Sequence, residues 1–405
     1  MNKFVTYLTI FLFTAITYAA EPAPVIKNGI KPKGIAKTLE LKEEVRITAE
    51  TGEEDHYLWV GPTVTVAANS KGHMLVGDPK SARIVEFDPQ GEYVKTYGSR
   101  GAGPGEFQNM TSFQILKDDR AVAFEALGPV SHVSWFDKDM AFVTRDTNQS
   151  FTHIETAALF SPDGTRRISQ IVNYNAETMI MGISTALMDA EKKTLKEIGH
   201  VDSPAFNPAR VNDKEFWVDF LAAQFKLGAN GETGIMAFDD DGNLYVAPRL
   251  KHYRIEKYDK NLNHVLTIER KYDPIAISEA EVKALTTPIY ETILAQLPAG
   301  GEQLINQDMV RRALVKAEYP KFKMPIFGMK ALEDGTLLVI HDINVLDNHE
   351  TFDIFDKAGA YLGSYKHSSQ GLTRMVFRNG KAYTVENVDD ENEMVRYDVK
   401  LVPAK

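Results

Sequence analysis

Gly98-Ser99-Arg100-Gly101-Ala102-Gly103-Pro104-Gly105-Glu106-Phe107 is the stretch on which the reading of this chain turns. With four glycines and a proline in ten residues, it favours neither a regular helix nor a central strand, so it reads as a connector with fixed bends. Before it, residues 64–67, 74–77, 83–87 and 93–97 parse as four short strands, with Arg83-Ile84-Val85-Glu86-Phe87 mixing apolar and charged positions at period two. After it, related strand units recur toward the C-terminus.

Two landmarks mark the recurrence, the signature of a repeat architecture. One is a tight turn: Lys71-Gly72, Asp118-Asp119, Asp163-Gly164, Asp241-Gly242, Asp334-Gly335 and Asn379-Gly380. These pairs tolerate the positive φ of a hairpin. The other is an apolar residue before Asp: Phe87-Asp88, Phe136-Asp137, Met188-Asp189, Tyr258-Asp259, Phe355-Asp356 and Tyr397-Asp398. Each follows its turn by 16 to 25 residues, room for two strands and a loop. Six pairs imply six blades, hence an all-β, six-bladed β-propeller. The third blade is the weakest, with the longest spacing and no aromatic at its landmark. The last unit shows three strands and ends at Val402, so residues 37–47, which have no hairpin partner, are expected to complete blade six and close the ring.

The Gly-x-x-Gly-x-Gly-Pro-Gly-x-Phe connector, Arg83-Ile84-x-x-Phe87-Asp88-x-x-Gly91 and Gly242-Asn243-Leu244-Tyr245-Val246 resemble the NHL-repeat family of six-bladed propellers, over roughly residues 60–402. Within it the chain looks most like exported bacterial members with a helical insert and no assigned activity. The resemblance implies a fold and no substrate.

Residues 1–19 read as a signal peptide: Lys3, an apolar run over 4–16, then small residues at Ala19-Ala20. Residues 20–34, with three prolines between 21 and 33, are expected to be flexible, and 35–405 to form a single propeller domain. No other stretch is apolar enough to span a membrane. There is no Cys, so disulfides, thiolate metal sites and lipidation at a cleavage-site Cys are excluded. The net charge is −10, or −11 once Lys3 is lost with the leader, which disfavours nucleic acid. A monomer in the periplasm or outside the cell is expected.

Two insertions break the repeat. Between blades four and five, residues 277–322 change to period 3.6: Ser278-x-x-Glu281 is a capping box with Ile277 and Val282 as its staple, and Val282, Leu285, Ile289, Ile293 and Leu297 form one stripe. A second helix is expected from Asn306, with Met309, Val310, Leu314 and Val315 as its apolar face. This hairpin must lie on a propeller face, as a lid, a docking surface or a packing embellishment. Between Gly199 and Gly234, Phe206, Phe216, Trp217, Phe220 and Phe225 are expected to pack a core of their own, the alternative being a ligand pocket.

The tight turns and the apolar-Asp turns share one end of the blades, so the other loops form the opposite rim. Six residues beyond each tight turn stand Asp78, Glu125, Gln170, Pro248, His341 and Glu386. Asp78, Glu125, His341 and Glu386 are the candidate metal ligands, since Ca²⁺ takes several oxygens from a carboxylate ring. Exported six-bladed relatives with lactonase or lyase activity hold metals in such a channel. The competing reading is that these carboxylates accept backbone hydrogen bonds from adjacent loops. His341-Asp342 with His349-Glu350 is the densest further metal-capable set. Arg83, Arg100, Arg249 and His252 are the candidate anion-binding residues.

No Gly-x-Ser-x-Gly elbow, His-Glu-x-x-His or Cys nucleophile occurs. The expectation is an exported, non-enzymatic binding or scaffold propeller that recognises a protein, peptide or glycan through its rim. The alternative is a Ca- or Zn-dependent hydrolase or lyase with its site in the central channel.

Overall fold

The structure, a computed structural model, describes residues 22–48, 64–178, 180–204, 207–230, 234–248, 252–295, 304–367, 374–388 and 391–404. The leader and Arg249 lie outside them, as do Phe206 and Leu297. The chain is a six-bladed β-propeller. Its strands pair within six sheets, and each seam between consecutive blades carries its own apolar cluster. At the seam that closes the ring, Ile47, Tyr383 and Met394 of blade six meet Val66, Met74 and Phe87 of blade one.

The landmarks recur because they build turns. Asp88, Asp137, Asp189, Asp259 and Asp356 each place Oδ1 on the backbone N–H four residues on, at 2.8 to 3.0 Å. A short carboxylate thus satisfies the turn between third and fourth strands. Asp398 has no turn to close, because its strand continues to Pro403, and it pairs with Lys381 at 2.8 Å. In the connector, Phe107 is wholly buried between blades one and two. Gly98 (φ 78°) lies against it, and a Cβ there would stand 2.5 Å from the Phe107 ring. Taking a phenylalanine out of water contributes roughly 2 to 3 kcal/mol.

Lys37–Ile47 pairs antiparallel with Glu391–Pro403, closing blade six. The segment expected to be flexible holds a strand. Val25–Asn28 runs parallel to Thr267–Arg270 on the outer edge of blade four. It is anchored by Asn28, whose side chain donates to Gly359 O at 2.9 Å and accepts from Tyr361 N at 2.9 Å in blade five. Residues 25–47 therefore strap blades four, five and six together.

Among the described residues three α-helices occupy connections between blades, at the end opposite the tight turns. They are α1 (Lys214–Asn230), α2 (Glu279–Ala295) and α3 (Gln307–Ala317). The Ser278/Glu281 capping box closes in both directions, at 3.2 and 3.0 Å. Asn306 caps α3 by accepting from Met309 N at 3.0 Å. Phe216, Trp217, Phe220 and Phe225 lie on α1 and are buried against Met309, Ala313 and Ala317 of α3, so they form a core of their own. Val315 is not on the apolar face: it is 76% exposed. At 100° per residue it stands about 120° round the helix from Met309, whereas Ala313 and Ala317 continue the stripe. Leu285 likewise faces outward, while Ile289 and Ile293 pack inward.

Candidate functional site

The rim positions reached by counting are occupied by side chains that already have partners. Asp78, fully buried, accepts from Ser81 N at 3.2 Å and faces the Arg83 guanidinium at 3.3 Å, so one candidate metal ligand neutralises one candidate anion binder. Glu125 accepts from Gln108 N at 2.6 Å and Asn109 N at 3.1 Å, holding the end of the connector, with Arg145 3.7 Å from its other oxygen. His341 stands 3.7 Å from Asp353. Glu386 accepts from Tyr397 Oη at 2.6 Å and Arg46 Nη2 at 3.1 Å. Its burial, which would raise the carboxyl, is outweighed by His367 at 3.8 Å, Tyr397 and Arg46, which pull it down to about 2. Arg100 donates to Lys80 O at 2.6 Å and Gln108 O at 3.4 Å. In the His341-Asp342 and His349-Glu350 hairpin, His349 lies 3.5 Å from Asp342, whose other oxygen holds Lys323 at 2.8 Å. Among the described residues no group of three His, Asp or Glu side chains is placed to hold a metal ion.

His252 is placed differently. It lines a cleft of about 710 Å³ on the rim of blade four, walled by its second-to-third loop, the end of its outer strand and Val25–Asn28. The side chains of Lys27, His252 and Lys271 are exposed there and, among the described residues, have no hydrogen-bond or ion-pair partner. Tyr272 offers a half-buried ring, and Arg254 is paired with Glu256 at 3.2 Å and Glu269 at 2.7 Å. The floor is rigid. The Arg270 side chain is 7% exposed and lies 3.0 Å from the fully buried Asp353, with its guanidinium over the Tyr361 ring at 4.1 Å. Tyr253 donates to the same carboxylate at 2.6 Å, and its burial, then Asp353, push its hydroxyl far above the ordinary range. The guanidinium Nε of Arg270 is buried without a hydrogen bond. Lys27, Lys271 and Tyr272 carried no signal in the sequence: a four-residue strand added in parallel, with no hairpin, brings Lys27 across some 240 residues to blade four.

Residues 63–126 match the DUF5128 family, described as a 6-bladed beta-propeller. That match agrees with the six blades seen here. No functionally curated protein matches the chain. Among solved structures, the chain is similar to a Bacteroides fragilis protein inferred to be exported, at 11% identity, TM-score 0.49, covering 94% of this chain and 100% of that one. A DUF4221-family member from Bacteroides vulgatus gives 10% identity and TM-score 0.49, over 91% and 99%. Virginiamycin B lyase from Staphylococcus aureus gives 8% identity and TM-score 0.41, over 90% and 100%.

Proposed function

We propose that this chain is an exported, non-enzymatic binding protein that takes an acidic glycan at the rim of blade four. The observation that carries the reading is the cleft of about 710 Å³ in which Lys27, His252 and Lys271 stand without partners beside the Tyr272 ring. Such cations pair with carboxylates, and an aromatic face covers the apolar side of a sugar. Binding is favoured over metal-dependent hydrolysis or elimination because Asp78, Glu125 and Glu386 already have partners. Among the described residues no helix is long and apolar enough to cross a membrane.

The test is titration of the purified chain with polygalacturonate fragments and, in parallel, an acidic peptide. Binding of the glycan that weakens with salt, and that falls about tenfold in Lys27→Gln with Lys271→Gln, supports the reading. Preference for the peptide, or affinity unmoved by these substitutions and by His252→Gln, overturns it. Export is checked by sequencing the N-terminus of the mature protein, expected to begin at Ala20 or Glu21.

A further inference from the structure

The inner strands of all six blades line a central channel holding a cavity of about 580 Å³, reached past the tight turns. Its wall is largely apolar. Leu159 stands 42% exposed within it, and the rings of Phe238 and Phe377 are half-buried. An apolar wall with so much accessible surface suits a ligand with an apolar body.

The charges lining the channel divide into two kinds. Those near the mouth are committed to other parts of the protein. Asp239 holds Lys257 at 3.0 Å, and Glu333 accepts from Asn379 N at 2.8 Å. Lys117 donates to Asp240 O at 3.0 Å, and Arg378 reaches Asp119 at 2.7 Å. Two cations remain. Lys330, on the inner strand of blade five, and Arg374, at the entry to blade six, both line the cavity. Among the described residues, neither side chain has a hydrogen bond or ion pair. Burial pulls the Lys330 ammonium below its ordinary range, against an opposing pull from the Glu350 carboxylate, which makes no ion pair with it. Among the described residues no acid lining the channel is free to pair with them, Asp239, Asp240 and Glu333 being engaged elsewhere, and an unpaired charge in an apolar surround is costly.

We infer that the channel is a second binding site, for a small organic carboxylate with an apolar body, its carboxylate held by Lys330 and Arg374. Arginine supplies a planar, bidentate fork and lysine a point charge, a pairing suited to one carboxylate. This site is separate from the rim cleft and stands without it.

The experiment uses naphthoate as probe and naphthamide as its neutral counterpart, titrated calorimetrically into the full chain. Naphthoate is expected to bind, and naphthamide to bind about tenfold more weakly or not at all. Lys330→Met and Arg374→Gln should each weaken naphthoate by about tenfold and leave naphthamide unmoved. His252→Gln, at the rim, should change neither. Arg374→Lys replaces Arg374→Gln if the latter fails to fold, judged by circular dichroism. In crystals soaked with bromonaphthoate, the anomalous signal of bromine should lie inside the channel. No heat with naphthoate at about 1 mM, equal affinity for acid and amide, unchanged affinity in the variants, or bromine elsewhere would each overturn the inference.

Discussion

The seam between blades four and five and the central channel treat buried charge in opposite ways. At the seam, Arg270 and Asp353 neutralise each other, and Tyr253 and Ser364 fill further positions on the carboxylate at 2.6 and 2.7 Å. In the channel, Lys330 and Arg374 have nothing of the kind among the described residues. A charge completed by its neighbours is structural, whereas one left incomplete beside an accessible cavity is available to something else. The same contrast separates Asp78 and Glu386, which have partners, from His252, which does not.

The largest effect should come from breaking the seam. Arg270→Met leaves Asp353 buried and uncompensated, and urea denaturation should show a loss of about 3 to 5 kcal/mol. Adding Asp353→Leu should recover most of that loss, and a double variant as unstable as the single one would refute this account of the pair. Next comes the acid limb of stability. Glu386 ionises at about 2 in the folded protein against an ordinary 4.5, so its contribution is complete above pH 4.5 and disappears as pH falls through 2. It should amount to about 3 kcal/mol, and Glu386→Gln should flatten the stability profile in that window.

Lys330→Met reverses the sign. Removing an uncompensated cation should stabilise the chain by about 1 kcal/mol near neutral pH. The folded-state value of Lys330 lies below its unfolded one, so the wild-type penalty, and with it the gain, should shrink as pH rises through the lysine range. A lower melting temperature for Lys330→Met would show that the ammonium has a partner after all. The smallest effect belongs to Val315→Asp on the outer face of α3, within about 0.5 kcal/mol of wild type, whereas Ala313→Asp should cost several times as much.

The fold was legible because its turns are chemical. Asp88, Asp137, Asp259 and Asp356 recur to satisfy the same backbone group in blades one, two, four and five, and a demand that repeats in space repeats in the sequence. Ser278 with Glu281 announced α2 for the same reason. Helix α1 was missed because Phe216, Trp217, Val218, Phe220 and Leu221 leave little polar face to set a period of 3.6. Its start was written in Asp213, which accepts from Glu215 N at 2.9 Å and Phe216 N at 3.3 Å. The candidate sites were less legible. Counting from a turn finds equivalent positions, yet whether Asp78 is free depends on where Arg83 points. Lys330 looked like any lysine in a short strand until six blades enclosed it.

The strap over residues 25–47 also sets an order of events. Val25–Asn28 needs the outer strand of blade four, and Lys37–Ile47 needs Glu391–Pro403, strands made hundreds of residues later. A growing chain must therefore carry Val25–Asn28 unpaired until blade four is made, and Lys37–Ile47 unpaired almost to the end of synthesis. Blade one can complete its own sheet from consecutive strands, but its outer seam with blade six stays bare until the last strand arrives. Ring closure is thus a late, long-range step, the kind that is slow and exposes sticky edges while it waits.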